Sequence, residues 1–134
     1  MYNPAFPSFS SDCTNFVSQC ICSGGINMSW PTWYCYDNQN SYSTAWVNVK
    51  DFYAYLFTPS GPGYNTTAAN MTRGDVIQFY NNSWNVKDWS HCVIQTSVGD
   101  SIYYAAHTEN RWNYALSNVY PTTKYTNIRF AKIE

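Results

Sequence analysis

A thiol and two imidazoles are the side chains best suited to covalent chemistry in this sequence. Cysteines stand at positions 13, 20, 22, 35 and 92, and the two histidines at 91 and 107. Cysteine hydrolysis needs a thiol nucleophile, an imidazole base and a third group to orient that base, wherever these lie along the chain. Cys13 directly follows Asp12, a good N-cap residue, and opens a stretch of helical spacing. At a helix start, unpaired backbone N–H groups and the helix dipole favour the thiolate. The plainer reading of such a cysteine is a buried or disulfide-bonded thiol. Five is an odd number, so at least one thiol stays unpaired within the chain, and Cys13 is the one expected to remain free.

The histidines fall on two consecutive strand-like segments joined by a turn at Gly99-Asp100. In a hairpin centred on Gly99, position 91 lies opposite position 107, and opposed side chains project from one face. A slip of one residue would send them to opposite faces. The order of parts is then a helix-start cysteine, a Gly-Asp-led strand, a strand carrying His91 and a strand ending in His107.

These groups must be positioned by a small set of elements. Phe16, Val17, Cys20 and Ile21 predict a helix over residues 12–23, stopped by Gly24-Gly25. Ala45, Trp46, Val49, Phe52, Tyr53 and Leu56 predict a second over residues 44–57, ended by Pro59-Ser60-Gly61-Pro62-Gly63. An aromatic loop without clear period, residues 30–42, lies between them. After Arg73-Gly74-Asp75 the period becomes that of strands, at residues 76–80, 91–96, 101–107 and 127–133. Helices first and strands afterwards predict an α+β domain, with a mainly antiparallel sheet carrying its helices on one side.

Other candidates read more simply as structure. Cys20 and Cys22 lack the second pair of ligands that a zinc site needs, and no metal or other cofactor is expected. Cys22 with Cys35 is one of three ways to begin pairing the remaining four cysteines. Asp12 reads as an N-cap and Asp75 as a turn residue. Trp30, Trp33, Tyr34 and Trp112 fall in apparent loops, where aromatic faces could stack on sugar or peptide. The four Asn-x-Ser/Thr sequons reflect an Asn/Ser/Thr-rich composition.

Composition sets the outer limits. At 134 residues and 15.4 kDa the chain has the size of one domain, residues 1–134. Charged residues make up only 11% and aromatic ones 19%. No apolar run approaches the roughly 18 residues of a spanning helix, so no membrane partner is expected. Seven basic against eight acidic residues give a net charge of −1 and no cluster to neutralise phosphates, so no nucleic-acid partner is expected either. Residues 1–12 lack the basic start and apolar stretch of a signal peptide, so the domain is expected either to be cut from a larger protein or to leave the cell another way.

The sequence also resembles a known family. Tyr2-Asn3-Pro4, the run Asp12-Cys13-Thr14-Asn15-Phe16-Val17-Ser18-Gln19, and Gly24-Gly25 are similar to the opening of the "Putative amidase domain" family. Arg73-Gly74-Asp75-Val76-Ile77, Ser90-His91 and the stretch from Ala106-His107 to Asn113 continue the likeness over nearly the whole chain. That family is related to the NlpC-type and CHAP cell-wall hydrolases, so the resemblance implies a papain-like fold. It further implies Cys13 as nucleophile, His91 as general base and His107 as the residue that orients the base, with Asn110 or Asn113 as alternatives for the last role. The expected function is a monomeric cysteine amidase or endopeptidase acting on peptidoglycan, outside the cell or in its wall. The competing expectations are an inactive glycan- or peptide-binding module and a toxin-like hydrolase or acyltransferase with another substrate.

Overall fold

The computed structural model describes residues 13–36, 41–99, 101–107 and 111–134. Three helices come first: α1 (Cys13–Ser23), α2 (Thr44–Val47) and α3 (Val49–Leu56). Six strands follow: β1 (Gly63–Tyr64), β2 (Val76–Asn81), β3 (Asp88–Val98), β4 (Ile102–Ala106), β5 (Arg111–Ala115) and β6 (Tyr125–Ile133). They form one sheet in the order β1-β6-β2-β3-β4-β5, with every neighbouring pair antiparallel. The expected α+β architecture is therefore present.

α1 stops where the glycines require it. Ile26 N–H donates to Ile21 C=O and Gly25 N–H to Cys22 C=O, with Gly25 at φ 114°. This is a Schellman closure, in which a residue without Cβ occupies the left-handed position. The proposed N-cap, Asp12, lies outside the described residues.

The single helix expected over residues 44–57 is instead two. Asn48 is extended (φ −108°, ψ 130°), and its side chain accepts from the N–H groups of Lys50 and Asp51, both at 3.0 Å. An Asn side chain that satisfies first-turn donors starts a new helix rather than continuing the old one. Reading the apolar stripe across Asn48 overlooked this cap.

Alternation along the strands divides the interior into two clusters. One lies between the helices and the sheet and joins Cys13, Phe16, Val17, Trp33, Trp46, Phe52 and Leu56 to Val76, Cys92, Ala105 and Ala131. The other lies on the face away from α1–α3 and holds Ile77, Phe79, Val93, Tyr104, Ala106 and Tyr125. Neighbours in sequence, such as Cys92 and Val93, thus serve different clusters, as a period of two dictates.

α1 is buried on more than its apolar stripe. Thr14, Asn15, Ser18 and Gln19 are also buried. Trp46 Nε1–H donates to Asn15 Oδ1 at 2.9 Å, Trp33 Nε1–H donates to Ser18 Oγ at 3.1 Å, and Ser18 Oγ donates to the Trp46 carbonyl at 3.0 Å. The polar side of α1 therefore satisfies the indole donors of the aromatic layer. Trp33, one of the four loop aromatics that could have stacked on ligand, is 0% exposed and lies 4.8 Å from the Trp46 ring and 5.4 Å from Tyr55. Its large apolar area outweighs the loop character of its surroundings.

Asp75 fixes the far end of the sheet. Its carboxylate accepts from the Thr72 N–H and hydroxyl, from Lys132 Nζ at 3.0 Å and from the Ile133 N–H at 3.0 Å. The turn residue read from Arg73-Gly74-Asp75 is thus also a clamp on β6. Among the described residues no group of three or more metal-ligating side chains occurs, and no helix is long and apolar enough to cross a membrane.

Candidate active site

Cys13 is the first residue of α1 and is buried against β3. Its sulfur accepts from the backbone N–H of Cys92, the residue directly after His91, and lies 3.8 Å from Thr14 Oγ1. Burial raises the thiol above its ordinary pKa, while the Cys92 N–H, the Thr14 hydroxyl and N–H, and its own N–H pull it down. Desolvation is the larger influence, so the resting group is a thiol. The expectation that the helix start alone would favour a thiolate is corrected: the same packing that places Cys13 there removes the water a thiolate needs.

His91 and His107 do not face each other across the hairpin. The ladder pairs Ile94 with Ala105 and Gln95 with Tyr104, then slips so that Ser97 pairs with Tyr103 and Val98 with Ile102. The turn-side pairs centre the hairpin one residue beyond Gly99, which alone would keep both histidines on one face; Thr96 is the extra residue that shifts the rest of the ladder by one. The rings consequently take opposite faces of the sheet. His91 pairs with Phe79 of β2 and its ring lies 5.6 Å from Phe79 and 6.2 Å from Tyr125, in the cluster away from the helices. His107 stacks at 3.9 Å on Phe16, one turn beyond Cys13 on α1. Both histidines are buried.

The fold therefore brings the Cys13 sulfur to the backbone beside His91, and the His107 ring to the turn of α1 that follows Cys13. Asn113, one alternative for the orienting role, is occupied elsewhere: its Oδ1 accepts from Thr96 Oγ1 at 2.8 Å and Ser97 Oγ at 3.0 Å. The other, Asn110, lies outside the described residues, as do Tyr2-Asn3-Pro4 and the turn residue Asp100.

The remaining cysteines are unpaired, as is Cys13, so the Cys22–Cys35 bond offered by the sequence is absent. The two are nonetheless neighbours: burial, and then a charge on Cys22, push the Cys35 thiol up to about 11. Cys92, fully buried between Gln78 and Cys13, is strongly raised by desolvation and then by Cys13.

Sequence reasoning missed β5, whose Trp112 is 69% exposed on a strand rather than a loop. It also missed Arg129, which supports the strands from the helix side. The Arg129 guanidinium lies between the rings of Tyr53 (3.8 Å) and Trp89 (4.2 Å) and donates twice to Gln78 Oε1. Gln78 Nε2–H in turn donates to the Val49 carbonyl of α3 at 2.9 Å. Only the regular alternation of β6 hinted at that position.

A family model described as "Putative amidase domain" matches residues 1–131. Two Bacillus subtilis (strain 168) proteins are similar. Uncharacterized protein YjcM is 32% identical over 111 residues, covering 76% of this chain and 25% of that protein. Uncharacterized protein YhbB is 29% identical over 137 residues, covering 92% of this chain and 43% of that protein. The chain thus spans less than half the length of either relative. No solved structure matches. With a helix-start cysteine packed on a histidine-bearing antiparallel sheet, and a family match over nearly its whole length, this chain belongs to the "Putative amidase domain" family.

Proposed function

We propose that the domain is a cysteine amide hydrolase of the papain-like, NlpC/CHAP-related kind that cleaves peptidoglycan outside the cytoplasm, at a muramoyl–alanine amide or a peptide bond of the stem or cross-bridge. The family assignment supports amide hydrolysis. The observation that carries the cysteine mechanism is the Cys13 sulfur held against the Cys92 N–H, next to His91.

Cys13 is then the nucleophile and His91 the base. Since the resting His91 ring packs on Phe79 and Tyr125, on the face away from α1, it must swing past the edge of β3, which β4 does not pair beyond Ile94–Ala105, to reach the sulfur. As the sulfur attacks the amide carbonyl carbon, its proton passes to the imidazole, and the Cys13 backbone N–H stabilises the oxyanion. Collapse breaks the C–N bond, the amine leaves with the proton from His91, and a thioester remains. Water, deprotonated by His91, attacks the thioester carbonyl; the acid product leaves and the proton returns to sulfur. His107 completes the set from the Phe16 side. A resting thiol suits this scheme, because the imidazole removes the proton during attack.

The test is digestion of purified sacculi, with mass spectrometry locating the new amine and carboxyl. Wild-type protein should release fragments and Cys13→Ala should not; equal release by both would end the proposal. A binding module is the second reading, favoured by the exposed indoles of Trp30 and Trp112. It would show as sacculus binding without release.

A further inference from the structure

A cavity of about 550 Å³ runs along α1 past Phe16, Cys20 and Gly24. These residues are spaced by four and form one stripe of the helix. Ile94 and Ala105 of the sheet form its floor, Trp112 borders one side, and Arg73 borders the other. Phe16 is also the residue on which His107 stacks, so the cavity opens one turn from Cys13.

Each wall has a defined chemistry. Trp112 is held in place by its neighbour: Asn113 takes a left-handed conformation (φ 48°) and is tied to β3 by the Thr96 and Ser97 hydroxyls. A non-glycine residue in that conformation needs such support. Arg73 is exposed and makes no ion pair or hydrogen bond among the described residues. It also borders a second cavity of about 300 Å³, together with Cys20, Gly24 and Glu134, which places it toward the C-terminal end of α1. Glu134 shares that second cavity but forms no ion pair with Arg73.

The spacing sets the length of the occupant. From Cys13 to Gly24 the helix advances by roughly 16 Å at about 1.5 Å per residue. An extended peptide covers that distance in about five residues. We infer that this cavity is a subsite for a short peptide whose C-terminal carboxylate is bound by Arg73, while its backbone crosses Trp112 and its amide reaches Cys13. A guanidinium binds a carboxylate through two parallel hydrogen bonds, so a free acid should be selected over its amide. The inference rests on the proposal that the substrate is a peptide amide.

Binding to Cys13→Ala protein, which cannot turn over, tests it directly. The probes are the N-acetylated stem pentapeptide Ala-D-Glu-Lys-D-Ala-D-Ala as free acid and as C-terminal amide, with calorimetry as the readout. The acid should bind at least tenfold tighter than the amide, and adding Arg73→Gln should bring it to the amide's affinity. Trp112→Ala should weaken both peptides alike. Equal affinity for acid and amide, a preference that survives Arg73→Gln, or no binding of either at millimolar concentration would overturn the subsite. Sacculus digestion by wild-type protein reports separately on hydrolysis. Cleavage without carboxylate selectivity removes only the subsite, and selective binding without cleavage removes only the hydrolase.

Discussion

Cys13 and Cys92 meet where the first residue of α1 touches β3: the Cys92 N–H donates to the Cys13 sulfur, and ionisation of Cys13 opposes ionisation of the Cys92 thiol. The nucleophile proposed for this domain is thus held in a dry contact between helix and strand. Its chemistry should carry the mark of that burial.

Alkylation of Cys13 by iodoacetamide should therefore keep accelerating above the ordinary thiol pKa of about 8.5, because desolvation has raised the group. Mass spectrometry of the labelled peptide at several pH values measures this. A rate that has already levelled off at pH 7 would show a preformed thiolate, contrary to the prediction.

Stability should fall in alkali for the same reason. Cys20 and Cys35 are pushed up to about 11, and an unfolded chain would release those protons near the ordinary value. The folded state then holds more protons than the unfolded one, so its advantage is complete below the unfolded pKa and is lost as pH rises toward about 11. Urea midpoints at pH 7, 9 and 10.5 should decline in that order, and less steeply in a Cys20→Ala/Cys35→Ala variant.

Removal of the imidazoles should separate their parts. His91→Ala should lower kcat by about 100- to 10,000-fold, the usual contribution of a general base. His107→Ala should lower it less and also loosen Phe16, against which its ring is stacked. If His107→Ala proves the more damaging, the base is the imidazole on the helix side. Melting curves of both variants would separate loss of catalysis from loss of fold.

Asp75→Ala should cost about 2–4 kcal/mol, since it leaves the Thr72 and Ile133 N–H groups and Lys132 without their shared acceptor. Asp75→Asn should retain part of this, because an amide oxygen still accepts. Chemical denaturation of the three proteins gives the comparison, and a cost below about 0.5 kcal/mol for Asp75→Ala, the usual range for inconsequential surface changes, would refute the clamp.

Asn15→Ala should cost about 1–3 kcal/mol by leaving the buried Trp46 indole N–H unpaired. Trp46→Phe should cost less in the Asn15→Ala background than in the wild type, because there the donor it removes is already orphaned. Equal costs in the two backgrounds would show that the hydrogen bond is not the source of the effect.

Local signals in the sequence carried α1, with its Gly25 stop, and the strand alternation of β2, β3 and β6. What they could not carry was anything set by two segments at once. The one-residue slip at Thr96 depends on how β3 meets β4, and it alone decides that His91 and His107 take different faces. Trp33 looks like a loop residue until Trp46 and Tyr55 close over it. The break at Asn48 was legible, since an Asn with Asp51 three residues on is a helix-start pattern, but the apolar stripe across it was the louder signal.

The place of β6 bears on when the domain can work. The last of the six strands in chain order lies inside the sheet, between β1 and β2, and its Ala131 belongs to the cluster that seats Cys13. A nascent chain that has emerged only as far as residue 124 has the proposed nucleophile but not the floor beneath it. The site is then assembled only once residues 125–133 arrive, so a chain that stops before residue 125 should be inert in any amide-hydrolysis assay that the whole domain passes.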